Sequence, residues 1–343
     1  MRLFLGLILL SFTITSLLIV PFINFLYRKK FLRKKQTTHD FLGSRTPIFD
    51  KYNQGKAGTP VGGGILLVAV MTGLFLLTLL VLNYYQAHIS VCFSLNKEIN
   101  IILFSLLSFG LLGFFDDLKK IFKIKKQGIF GLRLKYKFAL QWFLALIIAS
   151  LLYFDLGISI VNVPKLGFFD IGIFYIPLAA FIIVAFTNAF NITDGLDGLS
   201  CGLLVIALFA FSIISFQILD IPMAVFSAIW IGVLIAFLYF NIYPARIFLG
   251  DTGAMAFGST MAIIGLLLGK IIALAVIGGI FIIEISSSLL QMLTKTVWGK
   301  KLFRAAPFHL WLRDQGWEEP KIVSRAWLVG IMLAILGLWL ATF

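Results

Sequence analysis

Charge is scarce in this chain of 343 residues: Asp, Glu, Lys and Arg together make up 13%. Cysteine is scarcer still, with only Cys92 and Cys201, a spacing that forms no metal knuckle and no disulfide framework. There is no low-complexity tract and no internal repeat. The longest segment able to sit in water is residues 28–60, so there is no room for a separate soluble domain. What fills the chain instead is apolar: 60% of residues are hydrophobic and the mean hydropathy is +1.02, beyond what a soluble fold of this length tolerates.

Apolar stretches of about 17–25 residues recur, the length an α-helix needs to cross about 30 Å of hydrocarbon. Lipid offers no hydrogen bonds to exposed backbone, so such stretches are helices or barrel strands, and these are too long and continuous for the short alternating strands of a barrel. The chain is therefore expected to be an all-α polytopic membrane protein. Ten transmembrane helices are expected, near 3–26, 61–85, 99–115, 138–154, 174–190, 200–219, 222–241, 254–269, 271–294 and 323–343. The first is read as an uncleaved span, because its basic flank follows it instead of preceding it. Residues 155–173 alternate apolar positions around Pro164 and Lys165, which predicts a short external β-hairpin.

The formal charge is +14, with 29 basic residues against 15 acidic. Its distribution argues against nucleic acid as a partner. Counted span by span, 25 of the 29 Lys and Arg fall in alternate loops or beside them, on one side of the bilayer. That bias predicts a cytoplasmic location for those loops and an external location for both termini. The cluster Arg28 to Lys35 is read chiefly as topology and attraction to anionic headgroups.

Several polar motifs fall on that same side. Asp116 and Asp117 end the third span and are followed by Lys119 and Lys120. Adjacent carboxylates can share a divalent cation, or one can bind metal while the other takes a proton; the plainer reading is a solvated helix end. Asn188, Asn191 and Asp194 are three apart, near one face of a continuing helix, before Asp194-Gly195 and Asp197-Gly198 break it. Asp197 could equally cap the sixth span. Phe248-Leu249-Gly250-Asp251-Thr252-Gly253 adds a third boundary carboxylate and an aromatic ring, shortly after Asn241.

Lys56-Ala57-Gly58-Thr59-Pro60 leads into Gly62, Gly63 and Gly64 at the start of the second span. The glycines could present free N–H groups to an anion beside Lys56, or could serve close helix packing. His309 lies in the last basic loop. Glu284, deep in the ninth span, is read with Ser286 to Ser288 and Gln291 as a structural hydrogen-bonded network. A transporter would place its ionisable groups near the midplane in paired halves. Here Glu284 alone is deep.

At these motifs the chain resembles the polyprenyl-phosphate N-acetylhexosamine-1-phosphate transferases. The likeness extends from Lys56 to Trp327, and within them Lys56 to Pro60 and Ala306 to Pro320 favour the muramoyl-pentapeptide branch. The resemblance implies ten transmembrane helices, a homodimer and a Mg²⁺ site facing the cytoplasm in the bacterial inner membrane. The implied reaction moves phospho-MurNAc-pentapeptide from its UDP carrier to undecaprenyl phosphate, yielding lipid I and UMP for peptidoglycan. The alternative within the same chemistry is transfer of a GlcNAc or other HexNAc 1-phosphate for a surface polysaccharide.

By motif position the resemblance makes Asp251 a Mg²⁺ ligand and sets Asp116 and Asp117 at the reacting phosphates and the metal. Asn188, Asn191 and Asp194 line the pyrophosphate region. Gly195, Leu196 and Asp197 form the uracil corner, and Phe248 the ring that stacks on the base. Lys56, Lys120, Lys137 and His309 face phosphates, with Thr59 and Asn241 among the substrate contacts. One departure stands out: where the muramoyl branch carries three consecutive histidines, this chain has His309, Leu310 and Trp311.

Overall fold

The computed structural model describes residues 1–34, 50, 52, 54–86, 90–122 and 134–343. Lys35, Arg45, Lys51, Lys123, Lys125, Lys126 and Arg133, counted above among the basic loops, lie outside the described residues. The chain is helical almost throughout. Its first helices are α1 (Arg2–Arg28), α2 (Gly63–Tyr84), α3 (Leu95–Phe122), α4 (Leu134–Phe154) and α5 (Tyr175–Thr193). Then follow α6 (Leu199–Gln217), α7 (Ile221–Asn241), α8 (Gly250–Leu267), α9 (Ile271–Ile277), α10 (Gly279–Trp298), α11 (Phe308–Asp314) and α12 (Glu319–Ala341). Between α4 and α5, β1 (Ile160–Val163) pairs antiparallel with β2 (Gly167–Asp170), Ile160 opposite Asp170 and Val163 opposite Gly167. This is the hairpin expected around Pro164 and Lys165.

Among the described residues nine helices are long and apolar enough to cross a membrane, against the ten expected. The difference is α8. It has the length, 18 residues, but Gly, Ser, Thr and Asp dilute its apolar character. It does not need that character, because every residue from Thr252 to Leu267 is buried inside the protein. α8 packs against α2, α3, α5 and α9, and small residues let their backbones approach closely. A Cβ on Gly258, for example, would lie 2.7 Å from the carbonyl oxygen of Phe186.

The ninth expected span is divided at Gly278 into α9 and α10. The ring of Phe186 lies where a side chain at Gly278 would project, 2.5 Å from its Cβ position.

Burial separates an inner ring from an outer one. The apolar window of α7 is 83% buried, whereas those of α1, α2, α4 and α12 are each 28% buried, with their remaining apolar side chains facing outward. An outward apolar surface is what a lipid solvent requires. α7 is held between α1 and α6, and its start is capped by Asp220, whose Oδ1 accepts from the Met223 N–H at 3.1 Å.

Candidate functional site

The ends of α3 and α5, the start of α8, and the segments beside α1, α2 and α11 meet around one cavity of about 360 Å³. Asp117, Lys120, Asn191, Asp194, Asp251 and His309 line it, and Phe248 forms part of its wall. This volume is in the range of small-ligand sites. The boundary motifs from distant parts of the chain therefore converge.

Beside it two carboxylates share two ammonium groups. Lys137 Nζ lies 2.9 Å from Asp116 Oδ2 and 2.7 Å from Asp251 Oδ2. Lys120 Nζ lies 3.3 Å from the same Asp116 oxygen and 2.7 Å from the same Asp251 oxygen. Asp116 and Lys120 are four apart on α3 and so share a face. Lys137 reaches in from the first turn of α4, and Asp251 from the first turn of α8.

Asp117 has a different task. Its Oδ1 accepts the N–H of Asp251 at 3.0 Å, and its Oδ2 accepts the N–H and hydroxyl of Thr252 at 2.9 and 2.7 Å. It thus caps α8 from another helix, satisfying N–H groups that a helix start leaves open. Gly250 has φ +80°, and a Cβ there would meet Asp117 Oδ2 at 2.8 Å. Glycine is what lets the turn into α8 come so close.

The donor set suits a hard cation. Two charged carboxylate oxygens, Asp116 Oδ2 and Asp251 Oδ2, are held by a combined charge of +2, the charge of one divalent ion. Among the described residues no three His, Cys, Asp or Glu side chains are grouped so as to hold a metal. Mg²⁺ commonly takes one or two carboxylates and completes its shell with water and substrate phosphate oxygens. Asp116 and Asp251 fit that arrangement, whereas both oxygens of Asp117 are taken by α8.

The Gly195–Gly198 turn is pinned by a second charged cluster. Lys56 Nζ lies 2.6 Å from both Asp197 Oδ1 and Glu319 Oε1, and 3.3 Å from the carbonyl of Gly195. Glu319 also accepts from the Asp197 N–H at 2.7 Å and from Arg313 Nη1 at 2.6 Å. Asp197 Oδ2 accepts the Ala245 N–H at 2.9 Å. Asp197 therefore does not cap α6; Gly198, at φ +79°, occupies that position. Leu196 is buried in the core, and Asn241 braces the turn, accepting from Gly198 N–H at 3.2 Å and donating to the Ile247 carbonyl at 2.9 Å.

The two readings of the triple glycine are separated here. The N–H groups of Gly62 and Gly63 go to the Phe248 carbonyl and that of Gly64 to the Leu249 carbonyl. A Cβ on Gly64 would lie 2.2 Å from Gly253 N. Close packing accounts for Gly64 against α8 and for Gly63 against the Phe237 ring, while Gly62 has φ +114°, and none of the three N–H groups is offered to an anion. Asn188 likewise turns to its neighbours, donating to Gln141 Oε1 and the Val184 carbonyl, each at 2.8 Å. The Thr59 carbonyl accepts from the Arg33 N–H at 2.9 Å.

Phe248 is half-buried, with the Arg33 guanidinium 5.1 Å and Lys56 Nζ 6.0 Å from its ring centroid. Such placement is favourable for a cation over a π face. Arg33 and Glu319 are site residues that sequence reasoning passed over, Arg33 having been absorbed into the basic cluster. Glu284 was singled out, but with its serine-rich neighbours as partners. The carboxylate of Glu284 accepts from His309 Nδ1 at 2.9 Å and from the His309 N–H at 3.1 Å. A carboxylate buried in a membrane helix requires a partner, and that partner is His309.

Asp194 follows the last turn of α5. Burial pushes its carboxyl up to about 7, against the Ser200 hydroxyl, which donates to Oδ1 at 2.6 Å, and the charge of Arg33. An acid with a folded pKa above its unfolded value of about 3.9 keeps a proton that the unfolded chain has released. Its contribution to stability is complete below about pH 4 and is lost as pH rises through about 7. Asp194→Asn keeps the acceptor for Ser200 and removes that loss. Its melting temperature in detergent is expected to exceed wild type by a few degrees above about pH 7, and to match it near pH 4. Parallel pH curves for the two proteins would refute the buried neutral carboxyl.

The sequence model of glycosyl transferase family 4 matches residues 99–269. A phospho-N-acetylmuramoyl-pentapeptide-transferase of Rickettsia akari is 37% identical over 329 residues, covering 90% of this chain and 86% of that protein. The protein of the same name from Oceanobacillus iheyensis is 36% identical over 335 residues, covering 97% and 96%. That from Bacillus pumilus is 33% identical over 334 residues, again covering 97% and 96%.

Proposed function

The chain belongs to the phospho-N-acetylmuramoyl-pentapeptide-transferase family, and on that premise we propose the reaction it carries out. It moves phospho-MurNAc-pentapeptide from UDP to undecaprenyl phosphate at the cytoplasmic face of the bacterial inner membrane. The products are lipid I and UMP. The observation that carries this reading is the pair Asp116 and Asp251 sharing Lys120 and Lys137 beside a cavity walled by Phe248. The bias of Lys and Arg toward that side supports the cytoplasmic orientation. A homodimer, as the resemblance implies, belongs to the same reading.

Asp116 and Asp251 would hold Mg²⁺, which when bound supplies Lewis-acid stabilisation of phosphate charge. The remaining work falls to the chain. An oxygen of the lipid phosphate forms a bond to the sugar-linked phosphorus of the donor, and the bond from that phosphorus to the bridging oxygen breaks, releasing UMP. Asp116, whose neighbours are the two lysines, is the carboxylate that keeps the attacking phosphate ionised. Lys120 and Lys137 turn from carboxylates to phosphates and stabilise charge on the leaving UMP. Positioning and cations suffice for phosphoryl transfer. Phe248 stacks on uracil, and Asn191 and Asp194 face the pyrophosphate.

The test is a donor comparison in detergent. Purified protein, Mg²⁺ and undecaprenyl phosphate are offered UDP-MurNAc-pentapeptide or UDP-GlcNAc, and the lipid product is identified by mass spectrometry. Lipid-linked phospho-MurNAc-pentapeptide is the expected product, with UMP released in equal amount. A product formed with UDP-GlcNAc alone would replace this reading by the polysaccharide alternative. Leu310 and Trp311 make the comparison worthwhile: Leu310 is buried, and Trp311 stacks on Phe308 at 5.6 Å, so neither repeats the chemistry of a histidine.

A further inference from the structure

The imidazole of His309 is almost wholly buried, 2% exposed, and its two nitrogens have opposite surroundings. Nδ1 lies 2.9 Å from Glu284 Oε2, while Nε2 has no hydrogen-bond partner among the described residues. Nε2 is directed at the Gly195 turn, where an added Cβ would stand 2.5 Å away, and His309 lines the cavity. Glu284 also holds the backbone, since both its oxygens accept from the His309 N–H, at 3.1 and 3.3 Å. One carboxylate therefore sets both the position of α11 and the rotation of the ring it carries.

We propose that Glu284 is a positioning residue that keeps the proton of His309 on Nδ1, so that Nε2 is the nitrogen turned toward the substrate's phosphates. A carboxylate can only accept, so the nitrogen facing it carries the hydrogen in both protonation states. When Nε2 takes a second proton its N–H points into the cavity, and Glu284 stabilises the imidazolium. The charge then hydrogen-bonds a phosphate oxygen of the donor, with no covalent bond made to the ring. The other ionisable groups lining the cavity are Arg33, Lys34, Asp117, Lys120, Asp194 and Asp251. The role in transfer rests on the function proposed above; the tautomer does not.

The two are therefore tested separately. With three histidines in the chain, ¹⁵N-histidine labelling of the protein in detergent, in a His39→Gln/His88→Gln background, reports His309 alone. The expected spectrum has Nδ1 protonated and Nε2 bare at alkaline pH. A spectrum with Nε2 protonated at alkaline pH overturns the proposal, whatever the activity, and needs no variant of Glu284 to fold.

In transfer assays Glu284→Gln is expected to reduce kcat about 100-fold with little change in KM for the donor. Combined with His309→Ala, the Glu284 change should cost little more. Full additivity of the two losses would show that Glu284 acts only on the fold.

Discussion

Asp251→Asn is expected to lower transfer by about 10³-fold or more while leaving the protein folded. The carboxylate carries charge that an amide of the same shape lacks. In its absence Lys120 and Lys137 face Asp116 alone, and the pair of oxygens suited to a divalent ion becomes a single one. The amide oxygen still accepts from a lysine, and the Asp251 N–H that Asp117 receives belongs to the backbone, so α8 remains capped. The measurements are steady-state transfer across a Mg²⁺ titration, with gel filtration and a melting curve in the same detergent. Turnover within tenfold of wild type would remove Asp251 from the centre of the site. Recovery at high Mg²⁺ would instead show that the residue contributes affinity for the ion and little to the chemical step.

The second large effect is expected from a methyl group. Gly113 lies on α3 one turn before Asp116, and a Cβ there would stand 2.1 Å from the Asp251 carbonyl oxygen and 2.7 Å from Thr252 Cα. These are backbone atoms of α8, which cannot swing aside as a side chain can. Gly113→Ala must push α3 and α8 apart at the point where Asp116 meets Asp251, and where Asp117 caps α8. Overpacking of this kind costs about 1–3 kcal/mol, and more where backbone must move. Activity is expected to fall below detection and the melting temperature by several degrees. Gly110, one turn earlier on the same helix, is the control. A Cβ there would make ordinary contact with Ala256 Cβ at 3.6 Å, so Gly110→Ala should retain most activity and stability. If the two variants behave alike, the close approach of α3 to α8 is not what assembles the site.

Much of the fold was legible along the chain. Apolar runs of spanning length located all ten expected helical segments, α8 near 254–269 among them, and alternation around Pro164 and Lys165 located the hairpin. What the run did not show is that α8 is buried by protein instead of lipid, and its small and polar residues are informative about neighbours that only packing supplies. The break at Gly278 was not anticipated either, since a glycine in an apolar run says nothing of the Phe186 ring that fills its place.

The site was legible as a set of residue types and opaque as a set of partners. Asp116, Asp251, Lys120 and Lys137 were all anticipated, but not that the lysines would be shared between the carboxylates. Asp117, expected beside Asp116 in the chemistry, also caps α8, a task that nothing along the chain announced. Lys56 was expected to face phosphate and stands between Asp197 and Glu319. Glu284 was assigned to its serine-rich neighbours, and its partner proved to be His309, 25 positions away.

The division has a physical origin. Membrane spans, their alternation and the hairpin follow from local demands, because lipid obliges each segment to satisfy its own backbone and the length of a run is visible within it. Ion pairs and helix caps are settled between segments. Whether a lysine meets a phosphate or a glutamate more than 250 residues away depends on which helix ends are brought together, and that depends on glycines whose only message in the linear chain is an absent side chain.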